Sequence, residues 1–144
     1  MQPRVQLALN VTDVDSAVEF YSKLFQAEPA KRRPGYANFA IDEPALKLVL
    51  IENGAAAGTL NHLGVEVGST DEVTSASARL SGEGLPTKDE SGTCCYAVQD
   101  KVWVKDPDGA PWEVYTVLAD SPIDASCCTG AEAQSGAEGR VSCC

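Results

Sequence analysis

The amino-acid sequence predicts an α+β fold in which a strand, a helix and three further strands occur twice. Two observations support this prediction. When the sequence is shifted on itself by 56 residues, the run from Val5 to Val11 lies over the run from Asn61 to Val67. Each run alternates apolar with other residues, as a half-buried strand does, and each is followed by apolar residues at helical spacing. The repeat is weak in identity but strong in pattern.

The two helices have recognisable beginnings. The first is predicted after Thr12 and Asp13, which are N-cap candidates. Its apolar residues recur every three or four positions: Val14, Ala17, Val18, Tyr21, Leu24 and Phe25. The second is predicted after Ser69, which forms an S-x-x-E capping box with Glu72. Its apolar stripe consists of Val73, Ala76 and Leu80. Gly82 is a plausible end of this helix.

The remaining strands are predicted from short runs with strand-like composition. In the first half these are Tyr36–Ile41 and Leu46–Glu52. In the second half they are Pro86–Glu90, Cys95–Val98, Lys101–Lys105 and Trp112–Leu118. The segment Asp106–Gly109 is predicted to form a turn before the last strand. One domain over residues 1–118 is therefore expected, with modules at about 4–56 and 60–118. Residues 119–144 lack apolar periodicity and are expected to form a flexible, cysteine-rich, disordered tail.

Charge and composition exclude several classes of partner. The net charge is −10 at pH 7, and the acidic residues are spread along the chain. Nucleic acids and anionic membrane surfaces need clustered Lys and Arg, so neither is expected as a partner. The first residues do not resemble a signal peptide, and no apolar run approaches the roughly 18 residues of a membrane span. A cytoplasmic location is expected.

Strand parity places three polar residues on one face. If the apolar faces of the strands cover the helices, Gln6, His62 and Glu113 share the opposite face. Small Ala8 and Gly64 beside them leave room for a ligand. Taken singly, the three have ordinary explanations: a solvated amide, a structural histidine and a surface carboxylate. Their strand-matched and repeat-matched positions favour a shared site.

The six cysteines form three adjacent pairs: Cys94–Cys95, Cys127–Cys128 and Cys143–Cys144. Neighbouring cysteines close only a strained ring, so a disulfide framework is not expected. In a reducing compartment they are free thiols. Thiolates are soft donors that favour thiophilic ions and As(III). Adjacent side chains on a regular strand face opposite ways, so a shared arsenic atom needs a backbone bend near Gly92 and Thr93.

The motifs resemble those of vicinal-oxygen-chelate proteins. The family's D-x-x-x-A-x-x-F-Y helix is similar to the run from Asp13 to Tyr21, and its ligand strands resemble Asn61–Gly64 and the stretch from Asp106 to Glu113. The resemblance implies two paired βαβββ modules that form a cupped mixed sheet around one divalent metal. It implies Gln6, His62 and Glu113 as the metal ligands.

The donor types indicate which metal chemistry to expect. One carboxylate and two neutral donors leave about three positions open, as in the facial site of non-haem Fe(II) oxygenases. Glyoxalase-type members add a fourth ligand from the first module. The equivalent strand here, Ala45–Ile51, contains no carboxylate, so a closed four-ligand site is disfavoured.

The narrower resemblance is to the organoarsenical carbon–arsenic lyases and their cadmium-inducible relatives. It implies that Cys94 and Cys95 bind a trivalent organoarsenical such as methylarsonous acid. Fe(II), with O2 as co-substrate, would then cleave the C–As bond to release arsenite. The main alternative is a non-catalytic cadmium- or arsenite-binding stress protein, which six cysteines suit equally well. Antibiotic resistance by binding or thiol transfer is a third possibility, which leaves the cysteine pairs unexplained.

Some features stay open in the sequence. The tail pairs, Cys127–Cys128 and Cys143–Cys144, either relay or scavenge metalloid or are incidental thiols. A methyl or an aryl substituent on the arsenic is compatible with the motifs, and the expected oligomeric state is monomer or homodimer.

Overall fold

The computed structural model describes residues 1–94 and 96–121. The chain divides into two compact units. One is Arg4–Leu63, and the other combines Met1–Pro3 with the chain from Gly64 onward. A strand, a helix and three strands follow one another twice along the chain, as the repeat predicts. Neither α-helix of the described residues is long and apolar enough to cross a membrane.

The first unit contains these elements: β1 Arg4–Val11, α1 Val14–Phe25, β2 Lys31–Arg33, β3 Tyr36–Ile41, β4 Leu46–Glu52 and a short 3-10 helix Gly54–Ala56. The next strand, β5 Leu60–Glu66, belongs to this unit as far as Leu63. The strands lie in the order β2-β3-β4-β1-β5. β1 runs parallel to β4, while β3 is antiparallel to both β2 and β4.

The core of this unit lies between α1 and one face of its strands. Val14 and Val18 of the helix belong to the same buried cluster as Phe39, Leu48 and Leu50. From β1, the residues packed against this cluster are Leu7, Leu9 and Val11. The alternate residues of β1 are also buried, and they are Gln6, Ala8 and Asn10. Successive side chains of a strand face opposite ways, so Gln6, Ala8 and Asn10 face away from the helix, as predicted.

Helix α1 begins where the sequence predicts because Asp13 caps it. The Asp13 carboxylate accepts hydrogen bonds from the backbone N–H groups of Asp15 and Ser16 and, at 2.6 Å, from the Ser16 hydroxyl. The hydrogen bond from the Ser16 hydroxyl is the largest influence on the Asp13 pKa and lowers it, desolvation opposes this, and the two backbone N–H groups add smaller lowering effects. The helix ends at Gln26, whose φ of 53° is left-handed.

A pH-dependent contribution to stability follows from this cap. Because the pKa is depressed in the folded state, the stabilisation is present above the ordinary value of 3.8 and is lost as pH falls through the folded-state pKa. We expect Asp13→Asn to keep a working cap but to flatten the dependence of Tm on pH in the acid range. Thermal melts from about pH 6 down to about pH 2 measure this. Asp108→Asn, at an exposed turn, is the control, and equal flattening in both variants would contradict the assignment.

The second unit contains the end of β5 and four further elements: α2 Thr70–Gly82, β6 Lys88–Cys94, β7 Ala97–Lys105 and β8 Pro111–Asp120. The strands lie in the order β5-β8-β7-β6, and both β6–β7 and β7–β8 are antiparallel. The predicted capping box is present, since the Glu72 N–H donates to the Ser69 hydroxyl and the Glu72 carboxylate accepts from Ser69 Oγ and Gly68 N. α2 buries Val73 and Ala76 in a cluster with Val67 and Val102.

The predicted runs Pro86–Glu90 and Trp112–Leu118 have different bounds in the structure, Lys88–Cys94 and Pro111–Asp120, so Ala119 and Asp120 belong to β8 and not to the expected tail. Two further strand predictions need correction. The runs Cys95–Val98 and Lys101–Lys105 were predicted as separate strands, but Ala97–Lys105 is one strand. The polar residues Gln99 and Asp100 do not form a turn. The register shifts between Val98 and Gln99, and the strand continues. The second correction is β2, Lys31–Arg33, which the sequence analysis did not predict.

Candidate metal centre

Gln6 and His62 come together in the first unit. They lie on the neighbouring strands β1 and β5, and their Nε2 atoms are 3.2 Å apart. Both side chains are buried, with Gln6 2% and His62 0% exposed. Burying polar groups is costly unless they are hydrogen-bonded or hold a ligand. This arrangement therefore places two neutral metal-donor groups side by side at a buried position.

The contact made by Nδ1 of His62 indicates which of the two ring nitrogens carries the proton. His62 Nδ1 lies 2.7 Å from Asn61 Oδ1. An amide oxygen only accepts hydrogen bonds, so Nδ1 is the protonated nitrogen. The lone pair of a neutral ring is then on Nε2, the nitrogen that faces Gln6. A histidine binds a metal through such a lone pair, and a hydrogen bond from the other nitrogen orients the ring.

Glu113 lies in the second unit, on β8, and is 1% exposed. Its Oε1 is 2.8 Å from Nζ of Lys101, a residue of β7 that is itself buried. Lys101 Nζ also lies 5.4 Å from the ring centroid of Trp103 and 6.0 Å from that of Tyr115. Cations are attracted to aromatic faces at such distances. The Glu113 carboxylate is thus held in a buried site with a neighbouring positive charge.

Lys101 is the site residue that sequence analysis missed. In the β7–β8 register Lys101 pairs with Tyr115 and Trp103 pairs with Glu113. Directly paired residues of antiparallel strands share a face, so Lys101 lies on the same face as Glu113. Strand parity within the predicted strand Lys101–Lys105 would have found it, because Val102 between Lys101 and Trp103 belongs to the apolar core.

The Lys101–Glu113 pair gives a stability prediction. We expect Lys101→Met to lower the free energy of unfolding by about 3–5 kcal/mol, because it leaves a buried carboxylate without its partner charge. Urea unfolding measures the change. Lys105→Met, at the exposed end of the same strand, is the control and should have little effect. Adding Glu113→Gln to Lys101→Met should restore much of the loss, and a single variant as stable as wild type would contradict the assigned pair.

The donor types of these residues fit a metal that accepts nitrogen and oxygen ligands. Within residues 1–94 and 96–121, no three His, Cys, Asp or Glu side chains cluster as a metal site. The amide of Gln6, which lies beside His62, is a possible donor of another kind. The residue paired with Gln6 on β4 is Lys47, whose ammonium has no lone pair to offer a metal. The β4 residue that pairs with Gln6 therefore supplies no carboxylate as a fourth ligand.

Strand β6 ends at the first cysteine of the pair. Cys94 is the last residue of β6 and pairs with Ala97, so only two residues separate the paired ends of β6 and β7. The second of these, Tyr96, has a left-handed φ of 65° and its carbonyl accepts a 2.7 Å hydrogen bond from the Ser121 N–H. The bend expected near Gly92 and Thr93 is not present, because both residues lie within β6 and pair in register with Gln99 and Val98. Cys95 lies outside the described residues, as do the tail pairs Cys127–Cys128 and Cys143–Cys144.

The chain belongs to the glyoxalase/bleomycin resistance protein/dioxygenase superfamily, whose family model matches residues 4–114. This confirms the predicted vicinal-oxygen-chelate fold of two βαβββ modules. The chain is 60% identical to the cadmium-induced protein CadI of Mycobacterium tuberculosis, over 98% of this chain and 91% of that protein. It is 55% identical to a trivalent organoarsenical cleaving enzyme of Thermomonospora curvata, over 98% of this chain and 99% of that one.

A solved structure shows the same fold at lower identity. An extradiol ring-cleaving dioxygenase from B. fuscum superposes with a TM-score of 0.61 at 22% identity. The match covers 81% of this chain and 33% of that one. At this identity the likeness concerns the fold alone.

Proposed function

We propose that this protein cleaves the carbon–arsenic bond of trivalent organoarsenicals, such as methylarsonous acid, and releases arsenite. The observation that carries the proposal is the 55% identity, over almost the whole of both chains, to a protein named as a trivalent organoarsenical cleaving enzyme. The burial of Gln6, His62 and Glu113 and the position of Cys94 at the end of β6 support the proposal.

In this proposal Gln6, His62 and Glu113 hold Fe(II), and O2 is the co-substrate. An amide, an imidazole and a carboxylate together leave about three positions open to substrate and O2. Fe(II) bound there would supply the O2-dependent oxidation that breaks the C–As bond. His62 offers the Nε2 lone pair, and Lys101 holds the Glu113 carboxylate in place through its 2.8 Å contact.

Cys94 and Cys95 bind the arsenic in this proposal. Each thiol displaces one hydroxyl of methylarsonous acid, so that an As–S bond forms, an As–OH bond breaks and one water leaves. Two such bonds fix the orientation of the remaining As–C bond. Fixing a reacting bond in this way replaces a bimolecular encounter by an oriented arrangement, which is a large rate factor. The end of β6 at Cys94 supports this role, because two adjacent thiols within a regular strand would point to opposite faces.

The function is tested with the full chain reconstituted with Fe(II) without oxygen and then mixed with aerated methylarsonous acid. We expect O2 consumption and arsenite release in proportion, with formaldehyde as the carbon product. An aryl arsenical in parallel defines the preferred organic group. Protein without added Fe(II) is the control. Arsenite formation at the control rate in the reconstituted protein would reject the enzymatic function.

The second candidate is a cadmium- or arsenite-binding protein that catalyses no reaction. The 60% identity to a protein named as cadmium-induced favours it. This function needs thiols but no buried Gln6–His62 pair. Stoichiometric binding of Cd²⁺ or arsenite, combined with no O2 consumption in the Fe(II)-loaded protein, would support it over the lyase.

A further inference from the structure

A chain of side-chain hydrogen bonds runs from His62 to the backbone of the 3-10 helix. Four contacts form it, all within the first unit. His62 Nδ1 donates to Asn61 Oδ1 at 2.7 Å, and Asn61 Nδ2 donates to Asn10 Oδ1 at 3.0 Å. Asn10 Nδ2 donates to Thr59 Oγ1 at 2.9 Å, and the Thr59 hydroxyl donates to the Ala56 carbonyl at 2.6 Å.

The backbone end of this chain fixes its direction. The Ala56 carbonyl only accepts, so the Thr59 hydroxyl must donate to it and accept from Asn10. The amide nitrogen of Asn10 therefore faces Thr59, which leaves its oxygen for Asn61. The same logic turns the nitrogen of Asn61 toward Asn10 and its oxygen toward His62. Each amide orientation follows from the one before it, and the last consequence is a proton on His62 Nδ1.

We propose that Asn61, Asn10 and Thr59 are positioning residues that hold His62 as the Nδ1–H tautomer, with its Nε2 lone pair directed toward Gln6. The other tautomer would place a proton on Nε2, which then has no lone pair for a ligand. The metal-binding purpose of this arrangement rests on the proposed function. The tautomer itself is a property of the metal-free protein and is tested without iron.

The residues around this chain of hydrogen bonds support a role for it in orienting His62, in addition to packing. Asn10 is buried, and burying an amide is favourable only when its polar atoms are hydrogen-bonded. The amide of Gln6 lies on the other side of the ring, where its N–H donates to Nε2 at 3.2 Å. The position of the Gln6 amide nitrogen is compatible with the tautomer that the Asn61 contact favours. Neutral amides orient the ring without adding a charge beside it.

His62 is the single histidine of the chain, so its ring nitrogens give an unambiguous NMR signal. We expect nitrogen-detected correlation spectra of the metal-free protein in alkaline buffer to show a pyrrole-type Nδ1 and a pyridine-type Nε2. Asn61→Ala removes the acceptor and should lower the ratio of Nδ1–H to Nε2–H tautomer several-fold. An unchanged ratio in folded Asn61→Ala, or an Nε2–H tautomer in the wild type, overturns the proposal.

A second pair of variants tests Thr59, at the end of the hydrogen-bond chain remote from His62, where a substitution is expected to disturb the fold least. Thr59 is exposed, so Thr59→Val changes little besides removing the hydroxyl that anchors Asn10. We expect it to shift the tautomer ratio in the same direction as Asn61→Ala, and we expect Thr59→Ser to restore the wild-type ratio. Asn38→Ala is the matched control. Asn38 is buried like Asn10, but it donates a hydrogen bond to the Tyr36 hydroxyl and takes no part in the hydrogen-bond chain from His62 to Ala56. A shift in Asn38→Ala equal to that in Thr59→Val overturns the proposal.

Metal binding separates this inference from the proposed function. Loss of a residue that orients a metal-binding histidine typically weakens the metal about 10–100-fold, so Thr59→Val should weaken Fe(II) binding toward the lower part of this range. The NMR result stands by itself if the wild type binds no Fe(II), and in that case the metal assignment fails while the tautomer proposal does not. A shifted tautomer ratio with undiminished Fe(II) affinity would show that the hydrogen bonds of Asn61, Asn10 and Thr59 do not serve metal binding.

Discussion

Replacing His62 by Ala is expected to abolish both Fe(II) binding and C–As cleavage in a protein that remains folded. The variant removes the nitrogen that faces Gln6, and it removes the one imidazole of the chain. No second histidine can take its place. We expect the loss of Fe(II) affinity to exceed the roughly 10–100-fold effect of residues that only orient a ligand. Anaerobic Fe(II) titration of the purified variant, with circular dichroism to confirm the fold, measures this.

The design separates a lost ligand from a lost core residue. His62 is completely buried, so its truncation also leaves a cavity and lowers stability. Asn38→Ala, another buried polar truncation in the first unit, is the matched control and should keep full Fe(II) occupancy. If folded His62→Ala bound Fe(II) as wild type does, the set of Gln6, His62 and Glu113 would be wrong.

Elements with local signals were predicted accurately. Helix α1 and the strands β3 and β4 have the predicted bounds, because a cap and an alternating pattern are properties of a few consecutive residues. Strand β2 has no such signal. Its three residues, Lys31–Arg33, are all basic and become a strand by pairing with β3. Pairing with the adjacent strand β3 overrides the local preference of such a short run.

The error in β7 is separate from the omission of Lys101 from the site. A shift of register between Val98 and Gln99 lets a strand continue through residues that look like a turn. The predicted run Lys101–Lys105 already contained the needed signal, since apolar Val102 faces the core and its neighbour Lys101 therefore faces the other side. Parity did relate Gln6 to His62, and the structure places them in contact. Their role as metal ligands, together with Glu113, remains a prediction.

The Asn61–Asn10–Thr59 chain shows a different limit. Two of its four contacts, Asn61–Asn10 and Asn10–Thr59, join residues 51 and 49 positions apart, which are close in space because β1 and the segment ending in β5 lie side by side. The direction of every amide then depends on a single backbone carbonyl at Ala56. Residue type and spacing alone do not fix such a chain. It needs the register of the strands and the side-chain conformations.

Replacing either Cys94 or Cys95 by Ser is expected to eliminate turnover while leaving Fe(II) binding intact. In the proposed function these thiols bind the arsenic and take no part in holding the metal. Serine keeps the size of the side chain but removes the soft donor that As(III) prefers. A substrate held by one As–S bond loses its fixed orientation, and misplacement by about 1 Å can cost about 100-fold in rate.

Arsenite release and Fe(II) titration on the same preparations separate the two roles. We expect both cysteine variants to release arsenite at least about 100-fold more slowly than wild type and to bind one Fe(II) with wild-type affinity. The double variant Cys127→Ser/Cys128→Ser is the matched control, because it makes the same chemical change at a tail pair, and it should turn over normally with substrate in excess. Stoichiometric loss of iron from Cys94→Ser or Cys95→Ser would place that thiol among the metal ligands and overturn the division of roles proposed for this site.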